Sequence, residues 1–129
     1  MRAAAPRRRF DVFVPHKHEF GLDGTVAAEP IFAKDWVALS ESNAVVAILD
    51  GPVIDDGTAC EIGIFYSLLQ SDPSKKGIVG MTHDLRAMRD SNRKGEVKGL
   101  NLFVIGCIEA AGTIVASLDD VQMVLEGWR

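Results

Sequence analysis

The sequence predicts an α/β domain: a three-layer sandwich around a parallel, flavodoxin-like or Rossmann-like sheet. Three observations lead there. Residues 44–49 and 77–82 are continuous apolar runs of strand length, the pattern of strands buried on both faces. Segments with apolar residues at helical spacing alternate with those runs, as in successive βαβ units. Between residues 49 and 57 an acidic, glycine-containing loop joins an apolar strand to an apolar helix, at the carboxyl end where open α/β sheets hold ligands.

The elements follow in order. Residues 10–15 alternate like a short strand that Pro15 ends. Residues 16–29 are polar with no period, a loop over a sheet edge. Pro30 then opens a helix in the favoured first-turn position, with Ile31, Phe32, Trp36 and Leu39 as its apolar stripe, and Asn43 stops it. After the strand at 44–49 and the acidic loop, a second helix runs from Thr58 to about Gln70. A turn with Pro73 leads to the buried strand at 77–82. Residues 84–98 are charged and weakly periodic, a loop with one short helix around 85–88. The apolar run 101–109 suits a helix better than a strand, because Ala110-Ala111-Gly112 would end it before a last strand at 113–116. Ser117 then caps a closing helix through Trp128, with Asp120 at its third position.

Composition bounds the function. A chain of 129 residues with 47% apolar content forms one domain, residues 1–129, with a single core. Its net charge of -4 argues against a nucleic-acid binder, and Arg7-Arg8-Arg9 reads as a solvated lead-in without interleaved aromatics. No run is long enough for a membrane span, and no secretory leader pattern follows Arg2. Cys60 and Cys107 make neither a disulfide framework nor a metal spacing, so reduced thiols in the cytoplasm are expected. Trp36, Phe65, Tyr66 and Phe103 offer more apolar area than one small core needs, which predicts a subunit interface that includes the second helix.

The chemistry concentrates between Asp50 and Gly63. Thr58 and Glu61 have the spacing of a capping box, in which the acid is purely structural. The same placement, in a first helical turn, favours the ionised carboxylate that a nucleophile at an anomeric carbon must be. A calcium loop fails on Pro52, Ile54 and Asp55, where ligands or the turn glycine belong. Magnesium on Asp55 and Asp56 has no glycine-rich, Lys-containing phosphate loop beside it, and His16 and His18 lack a third ligand; no metal and no cofactor are expected. Retaining glycosyl transfer fits best: one carboxylate attacks, and Asp55 or Asp56 protonates the leaving group.

The pattern Asp55-Asp56-Gly57-Thr58-x-x-Glu61-x-Gly63 resembles the signature of the nucleoside 2-deoxyribosyltransferase family. Residues 10–15 look like that family's second strand, 31–35 like the helix that offers an Asp to the base, and 43–50 like the strand before the site. The resemblance implies that Glu61 is the nucleophile and that Asp35 and Asp55 hydrogen-bond and protonate the base. It places Asp50, Asp56, Gly57 and Thr58 on the substrate side. Residues 99–103 resemble the segment by which a neighbouring subunit completes the site, so Asn101 would contact the sugar 5′-hydroxyl in a homodimer or dimer of dimers. Nucleoside and free nucleobase are the implied ligands. The implied activity is transfer at the N-glycosidic bond of 2′-deoxynucleosides through a glycosyl-Glu61 intermediate. A 2′-deoxynucleoside 5′-phosphate hydrolase and a non-catalytic nucleotide sensor are the alternatives. Family members open with a strand and a small-residue loop before a long helix. Here only residues 1–9 precede the second strand, so the first strand is expected to be missing, with Ala3-Ala4-Ala5 the tail of the first helix.

Overall fold

A computed structural model describes residues 10–15, 27–83 and 101–129, in two compact units, Met1–Ala38 and Leu39–Arg129. The predicted stretches Arg7-Arg8-Arg9, His16-Lys17-His18 and 84–98 lie outside the described residues.

In the first unit, the strand expected at 10–15 is not formed: residues 10–14 join no ladder and Pro15 sits in a 3₁₀ turn. Alternation makes a strand only where a neighbouring backbone takes up its N–H and C=O groups. Helix α1, Ala28–Glu41, starts two residues earlier than expected, which leaves Pro30 in the first turn, where its missing N–H costs nothing. Its predicted apolar stripe is only partly used. Leu39 is buried, whereas Phe32 and Trp36 are 61% and 41% exposed. Those two rings, one turn apart, stack on each other with centroids 6.1 Å apart.

The second unit holds a three-stranded parallel sheet flanked by helices, in the order β1 (Ala44–Ile48), β2 (Gly77–Met81), β3 (Gly112–Val115). Helix α2 (Asp56–Leu69) connects β1 to β2, α3 (Leu102–Ala111) leads into β3, and α4 (Leu118–Gly127) closes the chain. The α/β sandwich expected from the sequence is therefore present. Ile62 and Phe65 of α2 and Ile108 of α3 pack on Ala47 and Ile78, on one face of the sheet. On the opposite face Val121 of α4, with Val124, Leu125 and Trp128, covers Val79 and Met81. Full burial of each large side chain contributes about 1.5–3 kcal/mol.

Burial of β1 on both faces does not occur. Val46 and Ile48 pair with Val79 and Met81 and so share the α4 face, yet they are 42% and 58% exposed. Helix α4 packs against β2 rather than over these two side chains. Only β2, the middle strand, is buried throughout.

Two local features hold this arrangement. Helix α3 passes into β3 with no loop, and Gly112 crosses so near β2 that a Cβ there would collide with the Ile78 carbonyl oxygen. At the other end of the unit, Lys75, its side chain 1% exposed, caps α1. Its Nζ donates to the carbonyls of Leu39 (3.2 Å), Ser40 (2.9 Å) and Ser42 (2.7 Å) and lies 5.1 Å from the centroid of the Phe65 ring. No basic residue sits in the last turn of α1, so this distant ammonium meets the helix's free carbonyls and its negative dipole end.

Two outcomes follow, both readable by urea unfolding. Lys75→Met removes the donor shared by these carbonyls, which should cost about 1–3 kcal/mol for each group that neither water nor another donor then reaches. Gly112→Ala should cost about 1–3 kcal/mol or more, because the neighbour in the way is backbone and cannot rotate aside.

Candidate functional site

The three strands end side by side. Leu49 N–H donates to Met81 O (2.8 Å) and Thr82 N–H to Val115 O (3.0 Å), carrying the ladder one residue past β1 and β2. Asp50 and His83 are the next residues out, at the carboxyl ends of adjacent strands. After Asp50 the chain turns at Gly51, whose φ of 119° is a conformation that side chains other than hydrogen rarely permit. Residues 51–53 are exposed, and Ile54, 7% exposed, plugs the loop back into the core.

Asp55, not Thr58, caps α2. Its Oδ2 accepts from Thr58 N–H at 3.0 Å and from Thr58 Oγ1–H at 3.3 Å, and its carbonyl accepts from Ala59 N–H at 2.9 Å. The capping box drawn from Thr58 and Glu61 is thus displaced by three residues, because Asp55 is the stronger cap and starts the helix earlier. Asp56 and Gly57 occupy the first turn and are exposed. Thr58, half-buried, is the residue whose N–H and hydroxyl are held by the cap. Glu61 lies in the second turn, beyond the reach of the strongest dipole effect proposed for it. It is half-buried, on the helix stripe that runs from Thr58 to the fully buried Phe65.

Asp50 is the most engaged carboxylate of this loop. Its Oδ1 accepts from His83 N–H (2.9 Å) and Thr82 Oγ1–H (3.2 Å), and its Oδ2 meets His83 Nδ1 at 2.5 Å. The His83 backbone N–H first, and then its ring, hold the Asp50 carboxyl below its ordinary range. Neither Thr82 nor His83 stood out in the sequence, although a polar pair directly after a buried strand marks the carboxyl end as surely as Asp50 does.

The remaining predicted residues are placed as follows. Asp35 is half-buried on α1, in the first unit. Asn101 is the N-cap of α3: its Oδ1 accepts from Phe103 N–H (2.9 Å) and Val104 N–H (3.3 Å), so its Nδ2 is the atom left for a ligand. Beside it Leu102 and Phe103 are 63% and 87% exposed. Phe65, by contrast, is fully buried within the chain and offers nothing to a neighbour. Burial raises the Cys107 thiol above its ordinary range, and Cys60 is exposed and unpaired with another cysteine. Among the described residues no three His, Cys, Asp or Glu side chains cluster to hold a metal ion, and no helix is long and apolar enough to cross a membrane.

The family described as nucleoside 2-deoxyribosyltransferase matches residues 1–121. Among solved structures, a conserved protein from Enterococcus faecalis V583 is similar, with 25% identity and a TM-score of 0.68 over 91% of this chain and 77% of that one. No curated protein matches.

The electrostatics of Asp50 make a signed prediction. Its folded pKa lies below the ordinary 3.8, so its contribution to stability is fully present above that value and is lost as pH falls through the lower folded one. Asp50→Asn should flatten that acid limb in unfolding curves taken between neutral pH and about pH 2. Asp55→Ala should cost about 0.5–2 kcal/mol at neutral pH, the range for losing a helix cap, as read by thermal unfolding.

Proposed function

Because the chain belongs to the nucleoside 2-deoxyribosyltransferase family, we propose that it cleaves the N-glycosidic bond of 2′-deoxynucleosides and passes the sugar to another base through a glycosyl ester on Glu61. The observation that carries this reading is the acidic loop. Asp50, Asp55 and Asp56 gather at the carboxyl end of β1, and Glu61 sits in the second turn of the helix that Asp55 caps. A carboxylate oxygen of Glu61 attacks C1′ as the bond to the base breaks, and an incoming base then displaces Glu61 from the same face, which retains configuration. Water in place of the second base gives hydrolysis. Asp35 and Asp55 hydrogen-bond the base and protonate it. Asp55 brings to this task only the oxygen that the cap leaves over, since Oδ2 is held by Thr58.

The assembly that fits is a homodimer or a dimer of dimers, with Asn101 donating from Nδ2 to the sugar 5′-hydroxyl near Glu61 of the partner subunit. The exposed Leu102 and Phe103 beside Asn101 support a covered surface there.

The test is to incubate the protein with a 2′-deoxynucleoside and a second free base and to separate the products. Exchanged nucleoside is the expected result. Free base alone would make the protein a hydrolase, a preference for the 5′-phosphate would mark a nucleotide substrate, and a thermal shift without turnover would mark a sensor. Glu61→Ala should abolish exchange and leave the Asp55 cap, hence most of the stability, intact. Mixing inactive Glu61→Ala and Asn101→Ala proteins should restore part of the activity if the site is shared; continued inactivity would place it within one chain.

A further inference from the structure

We infer that Asp50 is a positioning residue: its carboxylate ties the acidic loop to the end of β2 and so holds the loop in shape before a substrate arrives. This rests on the glycosyl-transfer reading above. The sequence resemblance puts Asp50 on the substrate side, but its oxygens are engaged by the protein. Oδ1 accepts from the Thr82 hydroxyl (3.2 Å) and from His83 N–H (2.9 Å), and Oδ2 meets His83 Nδ1 at 2.5 Å. An ionised carboxylate has about four acceptor sites, so a sugar hydroxyl is left with at most one. The firm part of this clamp is not the His83 ring, which is 74% exposed and contributes little as an ion pair. It is the His83 backbone N–H together with the hydroxyl of Thr82, a buried residue directly after the fully buried β2.

The clamp has a mechanical consequence. On one side of Asp50, the chain is fixed by the buried Leu49 and its bond to Met81 O. On the far side of the loop, it is fixed by Ile54 in the core and by the Asp55 cap. Only Gly51, Pro52 and Val53 lie between, and all three are exposed. The ring of Pro52 sets its own φ. Gly51, at a φ of 119°, is the residue with the most conformational freedom to lose. Asp50 is its immediate neighbour, so the carboxylate decides the direction in which the loop leaves the sheet. Asp55 and Asp56 come directly after this bridge, and Glu61 lies in the helix that it leads to. A loop released at Asp50 would have to be ordered again at each binding event. Ordering one residue's backbone changes an equilibrium constant by roughly 5–30-fold.

The experiment measures kcat and KM for base exchange on a 2′-deoxynucleoside at about pH 8, where an ordinary imidazole is neutral. Asp50→Ala should raise KM by roughly 5–30-fold and leave kcat near the wild-type value. Asp50→Asn should behave like the wild type, because its carbonyl still accepts from Thr82 and His83 while its amide donates to the neutral Nδ1. Adding Asp50→Ala to a Thr82→Val, His83→Ala background should cost less than it does in the wild type, since the partners are already gone. Three results would overturn the inference. Asp50→Asn as damaging as Asp50→Ala would mean that the charge itself is needed. An undiminished cost in the double background would put Asp50 on the substrate. A folded Asp50→Ala protein with unchanged KM would leave the clamp a purely structural role. Backbone order parameters need no substrate: Gly51 and Val53 should be rigid in the wild type and loosen in Asp50→Ala. Mobile amides there in the wild type would also overturn it. A wild type that neither exchanges nor releases base sinks the glycosyl-transfer reading and Asp50's role toward substrate, while the order parameters decide the clamp by themselves.

Discussion

A buried ammonium organises the second unit. Taking the Lys75 charge out of water costs several kcal/mol unless neighbours replace the lost hydration. Three carbonyls from the end of α1, the face of Phe65 and the Asp72 carboxylate 3.7 Å away supply that replacement. Asp72 is itself held ionised mainly by hydrogen bonds from Ser74. One side chain thus fixes the end of α1, the turn before β2 and the most buried ring of α2 with respect to one another. Asn43 adds to the same knot, donating from Nδ2 to Ser74 O and accepting from Lys76 N–H. With the amino ends of β1 and β2 clamped there, their register follows, and so does the position of Asp50 and His83 at the opposite end.

That knot could not be read from the sequence. Lys75 lies in a polar turn beside Lys76, and composition gives both the same solvated reading. Burial of one depends on where a distant helix ends, which is tertiary information. What was legible was whatever periodicity and turn chemistry decide locally. The apolar run 101–109 was rightly assigned to a helix, with Gly112 as its limit, and the Ser117 cap on Asp120 N–H is present at 3.2 Å. Failures came where two local rules competed or a partner was required. Asp55 and Thr58 are both good caps, and the earlier one took the helix. Residues 10–15 alternate without joining a ladder, and Val46 and Ile48 on the second face of β1 are exposed.

For the site, the sequence marked the loop but not its internal division of labour. Glu61 reads as a capping acid until Asp55 is seen to hold that place; Glu61 is a half-buried carboxylate in the second turn. The change removes one of the original supports of the chemical interpretation, the placement in the first turn. Asp55, in turn, holds the cap of α2, so its replacement disturbs the fold whatever it does to a ligand. Asp50 was seen only as one acid among three, because the residues that distinguish it lie more than thirty positions away.

The resulting site combines a stiff frame with an open rim. Leu49 and Ile54, 1% and 7% exposed, anchor the two ends of the acidic loop, while Gly51 and its exposed neighbours bridge the gap. A chain held this closely at both ends has few conformations to lose when a ligand arrives, so more of the contact energy remains for binding. The same stiffness bears on proton transfer. A base nitrogen whose lone pair develops in one direction needs its donor within a few tenths of an ångström of the right place. Under the proposed mechanism Glu61 makes the bond, while Asp55 is asked to meet the base with the oxygen that its cap leaves over.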